Sequence, residues 1–238
     1  MKIQIISVEE KALLKRIQSL PKQQAFAQMK AVNETMNIAH KDLKAEVARE
    51  FDKPTRWFIN STRVGYASKT NPQAYIAPKD KFWTGSDSAE RIYMLHVFGG
   101  QRKDKRSESQ LKQRGLLPQS KNLIIARFGI RKNINGNITG GMMNKILSGL
   151  RAQLDPYSNS HKNSRSKGNS DRWAYTTIRG VTGIWDVSKR KPKLYFYEAP
   201  RAVYKPRLRY FETIDASVNA NFDMLHARWI KRAMKTAR

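Results

Sequence analysis

Apolar residues recur at steps of three and four along the first part of the chain. Leu13, Ile17 and Leu20 form a short stripe, preceded by Ser7 and Glu10 in the S-x-x-E spacing of a capping box. Pro21 is expected to interrupt this helix. A second stripe, Phe26, Met29, Val32, Met36, His40, Leu43, Val47 and Phe51, predicts a helix of about 25 residues, or about 38 Å. It ends at Asp52-Lys53-Pro54, where the proline restricts the residue before it. The last stripe, Phe211, Ile214, Val218, Phe222, Leu225 and Trp229, predicts an amphipathic helix over 211–237. Arg228, Lys231, Arg232, Lys235 and Arg238 crowd its end, where cations suit the helix dipole.

Between these helices the pattern shortens. Residues 57–62 and 73–77 read as extended segments joined by a polar turn at Lys69-Thr70-Asn71-Pro72. Ser86 or Asp87 is placed to cap a short helix through Ile92 and Leu95 to Phe98, with Gly99-Gly100 ending it. Residues 101–113 are dense in charge and read as a loop. Leu123 to Phe128 reads as a strand and Met142 to Ala152 as a helix. Residues 183–187 and 193–197 form a hairpin pattern around Ser188-Lys189-Arg190-Lys191-Pro192, and Trp173 to Ile178 reads as a third strand. The class is therefore α+β, with a long N-terminal helix, a central mixed or antiparallel sheet with short helices, and a C-terminal amphipathic helix. The expected division is a helical arm over 1–52 and an α+β body over 53–238. Residues 155–172, rich in Ser, Asn and basic side chains, are expected to form a mobile loop.

Charge changes the picture. The 238 residues hold 46 Lys plus Arg against 19 Asp plus Glu, a net charge of +27. Residues 1–110 hold 20 basic and 12 acidic side chains, whereas 111–238 hold 26 and 7. Between Glu108 and Asp155 there is no acid at all. So basic a chain is suited to polyanionic partners. There is no cysteine, which excludes disulfides, thiolate metal sites and thiol nucleophiles. No apolar run approaches the roughly 18 residues that span a bilayer, and no signal-peptide pattern opens the chain. No membrane contact is expected, and the place of use is cytoplasm or a particle assembled there.

Candidate chemistry is sparse. His40, His96, His161 and His226 are scattered, and His40 falls on an apolar helical stripe, the place of a satisfied core or interface histidine. Asp104 and Glu108, four apart among Lys and Arg, read as solvated ion pairs. Gly136 to Gly141 precedes a helix but lacks the Lys-Ser/Thr of a phosphate-binding loop, and reads as a turn. No catalytic, cofactor or metal residue is assigned, and no enzyme activity is expected. The candidate surface for DNA or a neighbouring subunit is Lys189, Arg190, Lys191 and Lys193 at the hairpin tip, with Arg201, Lys205, Arg207 and Arg209 interleaved with Tyr204, Tyr210 and Phe211. Lys162, Arg165, Lys167 and Arg172 mark a candidate partner-contacting loop. Charge this diffuse suits sequence-blind contact or a charged channel wall better than readout, and sequence-nonspecific nucleic-acid binding is the alternative function it leaves open.

The order of features and several local phrases resemble the tail-completion and minor tail proteins of tailed bacteriophages, of the type called minor tail protein Z. The phrases are Glu50-Phe51-Asp52-Lys53-Pro54-Thr55-Arg56-Trp57, Asn60-Ser61, Ala67-Ser68-Lys69, Asn71-Pro72-Gln73-Ala74 and Lys79-Asp80. Gly183-Ile184-Trp185 and Tyr204-Lys205-Pro206-Arg207-Leu208 follow near the end. The likeness covers most of the chain outside its charged loops. It implies a structural virion component at the head–tail junction or upper tail, a homo-oligomeric ring around the DNA path. Portal, neck or tail subunits are its implied partners, DNA contact is nonspecific, and no cofactor is needed. Met29, Met36 and Leu43 are candidates for one ring-contact patch, beside their reading as core.

Overall fold

In the computed structural model the described residues are 8–79, 89–161 and 167–236, with side chains described over 22–79, 89–161 and 168–235. In chain order the elements are α1 (Val8–Glu50), α2 (Arg56–Ile59), β1 (Thr62–Gly65), β2 (Tyr75–Pro78), α3 (Ala89–Phe98), β3 (Gly100–Gln101), α4 (Arg106–Gln113), β4 (Lys121–Ile125) and α5 (Gly140–Gly149). A 3-10 turn (Pro156–Ser158), α6 (Lys167–Ser170), β5 (Trp173–Ile178), β6 (Val181–Asp186), β7 (Lys193–Pro200), β8 (Val203–Tyr204) and α7 (Tyr210–Thr236) follow. The class is α+β, as the pattern predicts. The chain divides into two units, residues 1–97 with 207–238, and residues 98–206. This division differs from an arm and a body.

The first unit is built on α1 and α7, which run antiparallel. Trp229 donates its indole N–H to Glu34 at 2.7 Å, and Ser217 donates its hydroxyl to Asp42 at 2.7 Å. The break expected at Pro21 is absent, and α1 runs through it for 43 residues. Proline's fixed φ is itself helical, so a long helix absorbs the lost hydrogen bond. The buried face of α1 is a ladder at steps of four: Ala27, Ala31, Thr35, Ala39, Leu43 and Val47. It lies beside the expected stripe, whose Phe26, Met29, Val32, Met36 and His40 are only half-buried. Small side chains let the two helices approach closely, and Leu225 and Ala233 answer them from α7. Leu43 is fully buried, so it is core and not a ring contact. Phe211, expected on the apolar face of α7, is 53% exposed.

At the end of α1 a compact cap forms. Residues 57–62, expected to be extended, instead begin as α2, because Thr55 caps it by accepting the Phe58 N–H at 3.1 Å. β1 and β2 pair antiparallel. Asn33 of α1 holds the following turn through two hydrogen bonds to Ala67, at 2.7 and 3.0 Å. Phe51, Phe58, Tyr93 and Tyr210 pack in a chain of ring contacts at 5.0–6.0 Å. Tyr210 also donates to the Ile76 carbonyl at 2.7 Å, and burial, then Tyr93, pushes its phenol up to about 12. The capping residues expected at Ser7, Ser86 and Asp87 lie outside the described residues.

The second unit is a four-stranded antiparallel sheet in the order β4-β7-β6-β5. Residues of α4 and α5 pack against it around Leu111, Leu123, Ile146, Trp173, Ile184 and Phe196. The β5–β6 turn is Arg179-Gly180, with φ of 53 and 77, the geometry of a two-residue hairpin loop. The predicted hairpin between residues 183–187 and 193–197 is β6–β7, and the third strand is β5.

Two expectations fail here. Residues 106–113 are a helix, not a loop, because Glu108 turns inward and its carboxylate accepts the Lys105 N–H at 2.7 Å, closing the first turn. The polar segment 155–172 is tied down where it is described. Asp155 accepts from Tyr157 N–H and the Ser158 hydroxyl, Ser160 is buried, and Asn169 bridges Lys145, Ser160 and Trp173. Short polar side chains stabilise such turns by bonding neighbouring backbone.

Candidate nucleic-acid interface

The eight cations predicted to form one surface meet different fates. Arg201 and Lys205 belong to the second unit, and Arg207 and Arg209 to the first. Three of these four have an acidic neighbour. Arg201 lies 3.2 Å from Asp104, Arg207 lies 3.8 Å from Glu50 and over the Phe51 ring, and Arg209 lies 3.4 Å from Glu46. Lys205 is exposed. Of their interleaved aromatics, Tyr210 is core and cannot stack on a base. In the 201–209 segment Arg201 is therefore the cation drawn into the fold, whereas Arg207 and Arg209 carry surface ion pairs and keep more than half of their side chains exposed.

In the loop set, Arg172 is paired with Asp186 through two nitrogens at 2.7 and 3.0 Å and lies over Trp173. Burial pushes the Asp186 carboxyl up, but hydrogen bonds from Ser188 and Arg172 outweigh it and hold the group below its ordinary range. Lys162 and Arg165, and the side chain of Lys167, lie outside the described residues.

The hairpin tip is different. Lys189, Arg190, Lys191 and Lys193 are all exposed, and none has an ion pair among the described residues. The sheet's register sets their neighbours. Lys193 faces Asp186, which faces Trp173, while Ala126 donates its N–H to Tyr195 at 2.9 Å. The exit of β4, the β6–β7 turn and the start of β5 therefore share one end of the sheet. That end adds Arg127 and Phe128, with the guanidinium 5.2 Å from the ring centre, and Lys132, whose ammonium bonds the Arg127 carbonyl at 2.9 Å. Phe128 is 77% exposed. These residues escaped sequence reasoning because 123–128 reads as one strand. The acid-free stretch between Glu108 and Asp155 was the signal that marked them.

Two acids of this unit, Glu108 and Asp104, are held by internal partners. Glu108 is 1% exposed. It takes a forked pair from Arg102 at 2.7 and 2.9 Å and the Leu123 N–H at 2.9 Å. Asp104 accepts from Lys112 at 2.7 Å and Asn122 at 2.9 Å, beside Arg201. Burial raises both carboxyls, yet these bonds prevail and both titrate below their ordinary values. The expected solvated pair is thus a buried network, because burying a charge requires partners on every side. Asp171 is the exposed acid at the basic end.

His40 accepts or donates to the Thr62 hydroxyl at 2.9 Å, a satisfied interface histidine as its position on the stripe implies. Among the described residues no group of three or more His, Asp or Glu side chains is placed to hold a metal, and no helix is long and apolar enough to cross a membrane. A scan against protein-family models found no match, and searches of curated proteins and of solved structures found none either.

Proposed function

We propose that the protein is a structural component of a tailed-bacteriophage particle, acting in tail completion or as a head–tail connector. In this reading it forms a homo-oligomeric ring around the DNA path and contacts portal, neck or tail subunits. It works without catalysis or cofactor, in the virion. The observation that carries the reading is the set of minor-tail-protein-like phrases. The first four of them fold together, as the exit of α1, α2, and the β1–β2 hairpin with its turn. Ser61 is fully buried and donates to the Phe58 carbonyl at 2.7 Å; Ser68 N–H bonds the Asn71 carbonyl at 2.8 Å. These four phrases, all within residues 50–74, thus form one local feature at the end of a long helix, which suits a subunit shaped for assembly.

The internal pairing of Glu108, Asp104 and Asp186 fits the same reading. A wall beside passing DNA needs exposed cations that attract weakly, with a reach of about 8 Å at physiological ionic strength. A free, sequence-nonspecific nucleic-acid-binding protein is the second reading, favoured by the unpaired cations of the sheet end. Mass spectrometry of gradient-purified particles separates the two. A fixed copy number per particle, retained through high salt, supports the virion component. Recovery only in the soluble lysate overturns it.

A further inference from the structure

We infer that the end of the four-stranded sheet built by the β4 exit and the β6–β7 turn is a sequence-blind contact for nucleic-acid phosphates. The inference rests on the reading that the chain works beside nucleic acid, and it assigns that contact to one place. Four strands about 4.8 Å apart make an edge about 14 Å wide. Duplex DNA carries one charge per about 1.7 Å of axis, so about eight phosphates lie along such a length. The edge offers Arg127, Lys132, Lys189, Arg190, Lys191 and Lys193. The two acids beside them are Asp186, already neutralised by Arg172, and exposed Asp171.

The contrast with 201–209 matters. There three of the four cations have a carboxylate neighbour; here the four tip cations have no ion pair among the described residues and sit exposed on a turn held by the β6–β7 ladder. Lysines and arginines on a turn track a backbone without reading base edges, so no sequence preference is expected. Phe128 adds an exposed ring beside Arg127, the combination on which an unpaired base stacks. The edge therefore gains affinity for single strands or frayed ends beyond its attraction for duplex.

The test uses the full chain and fluorescence anisotropy with random-sequence duplex and single-stranded oligonucleotides across a salt series. In one variant Lys189, Arg190, Lys191 and Lys193 become Gln. A charge-matched control changes Lys41, Arg56, Lys231 and Lys235, all exposed in the first unit, to Gln. The tip variant should flatten the log–log salt slope on duplex by about 3 to 4, at about 0.9 per lost phosphate contact. The control should change it by less than about 1. Phe128→Ala should weaken single-strand binding several-fold and leave duplex binding unchanged. Equal losses in tip variant and control would overturn the inference, since net charge would then suffice. So would a tip variant that loses binding to phosphatidylserine vesicles but keeps its nucleic-acid slope. Particle association is measured separately, so failure of the virion reading leaves a distinct signature.

Discussion

Glu108 accepts the Leu123 amide N–H at 2.9 Å, so a buried carboxylate closes the outer edge of β4. Ala126 N–H turns toward β7, and alternation turns Leu123 N–H away from it. An open strand edge is a template for unwanted pairing, and a side-chain acceptor on it blunts that template. Glu108→Ala should cost about 3–5 kcal/mol, because it leaves the Arg102 charge and an edge amide without their partner. Urea unfolding of the full chain measures this. Glu108→Gln, which keeps an acceptor for Leu123, should cost less.

Thr35 gives the opposite sign. It sits in the α1–α7 seam at 1% exposure, and its hydroxyl has no hydrogen-bond partner among the described residues. Thr35→Val keeps the shape and removes a polar atom that loses water on folding. It should stabilise the first unit by about 1 kcal/mol in thermal or urea unfolding. A loss of stability would show that the hydroxyl is satisfied in solution.

Gly149 ends α5 where the polar segment is anchored. A Cβ there would lie 2.5 Å from Trp173 and 2.6 Å from the Asn169 carbonyl. Gly149→Ala should therefore cost about 1–3 kcal/mol by overpacking. It should also release the 155–161 turn, read as faster amide exchange over those residues. Unchanged exchange would mean that the turn holds without Asn169.

Acid should loosen the two units at different pH. His40 and His96 titrate below the ordinary 6.5, first because burial disfavours their charged form, then because of nearby cations including Lys44 and Arg207. The unfolded chain then binds their protons first. The stability they contribute is whole above about pH 6.5 and declines as pH falls from there toward their folded values. Glu108, Asp104 and Asp186 also titrate low, from ordinary values of 4.5, 3.8 and 3.8. Their contribution is whole above those values and lost below them. Hydrogen exchange at about pH 5.5 should show the first unit loosened and the second intact, with the second following below about pH 4. The reverse order would contradict the assignment of these partners.

Much of this architecture was legible in the sequence, because periodicity reports burial. The long helices, the β5–β6–β7 meander and the α3 helix follow from it directly. The α1 seam did not, since Ala27, Ala31 and Ala39 are small, and a stripe is noticed by its large members. Glu108 and Lys112 were illegible for another reason. A charged residue reads as solvated unless its partners are known, and Leu123 and Asp104 become their neighbours only after folding. The same blindness hid the acidic neighbours of Arg201, Arg207 and Arg209, while a turn places the side chains of the hairpin tip outward.

The most direct measurement is a nuclease-treated pull-down of the tagged chain from infected cells, read by mass spectrometry. The account predicts that portal, neck or tail subunits remain bound after the nucleic acid is gone. Loss of every bound protein with the nucleic acid would contradict the virion role and leave a free nucleic-acid-binding protein.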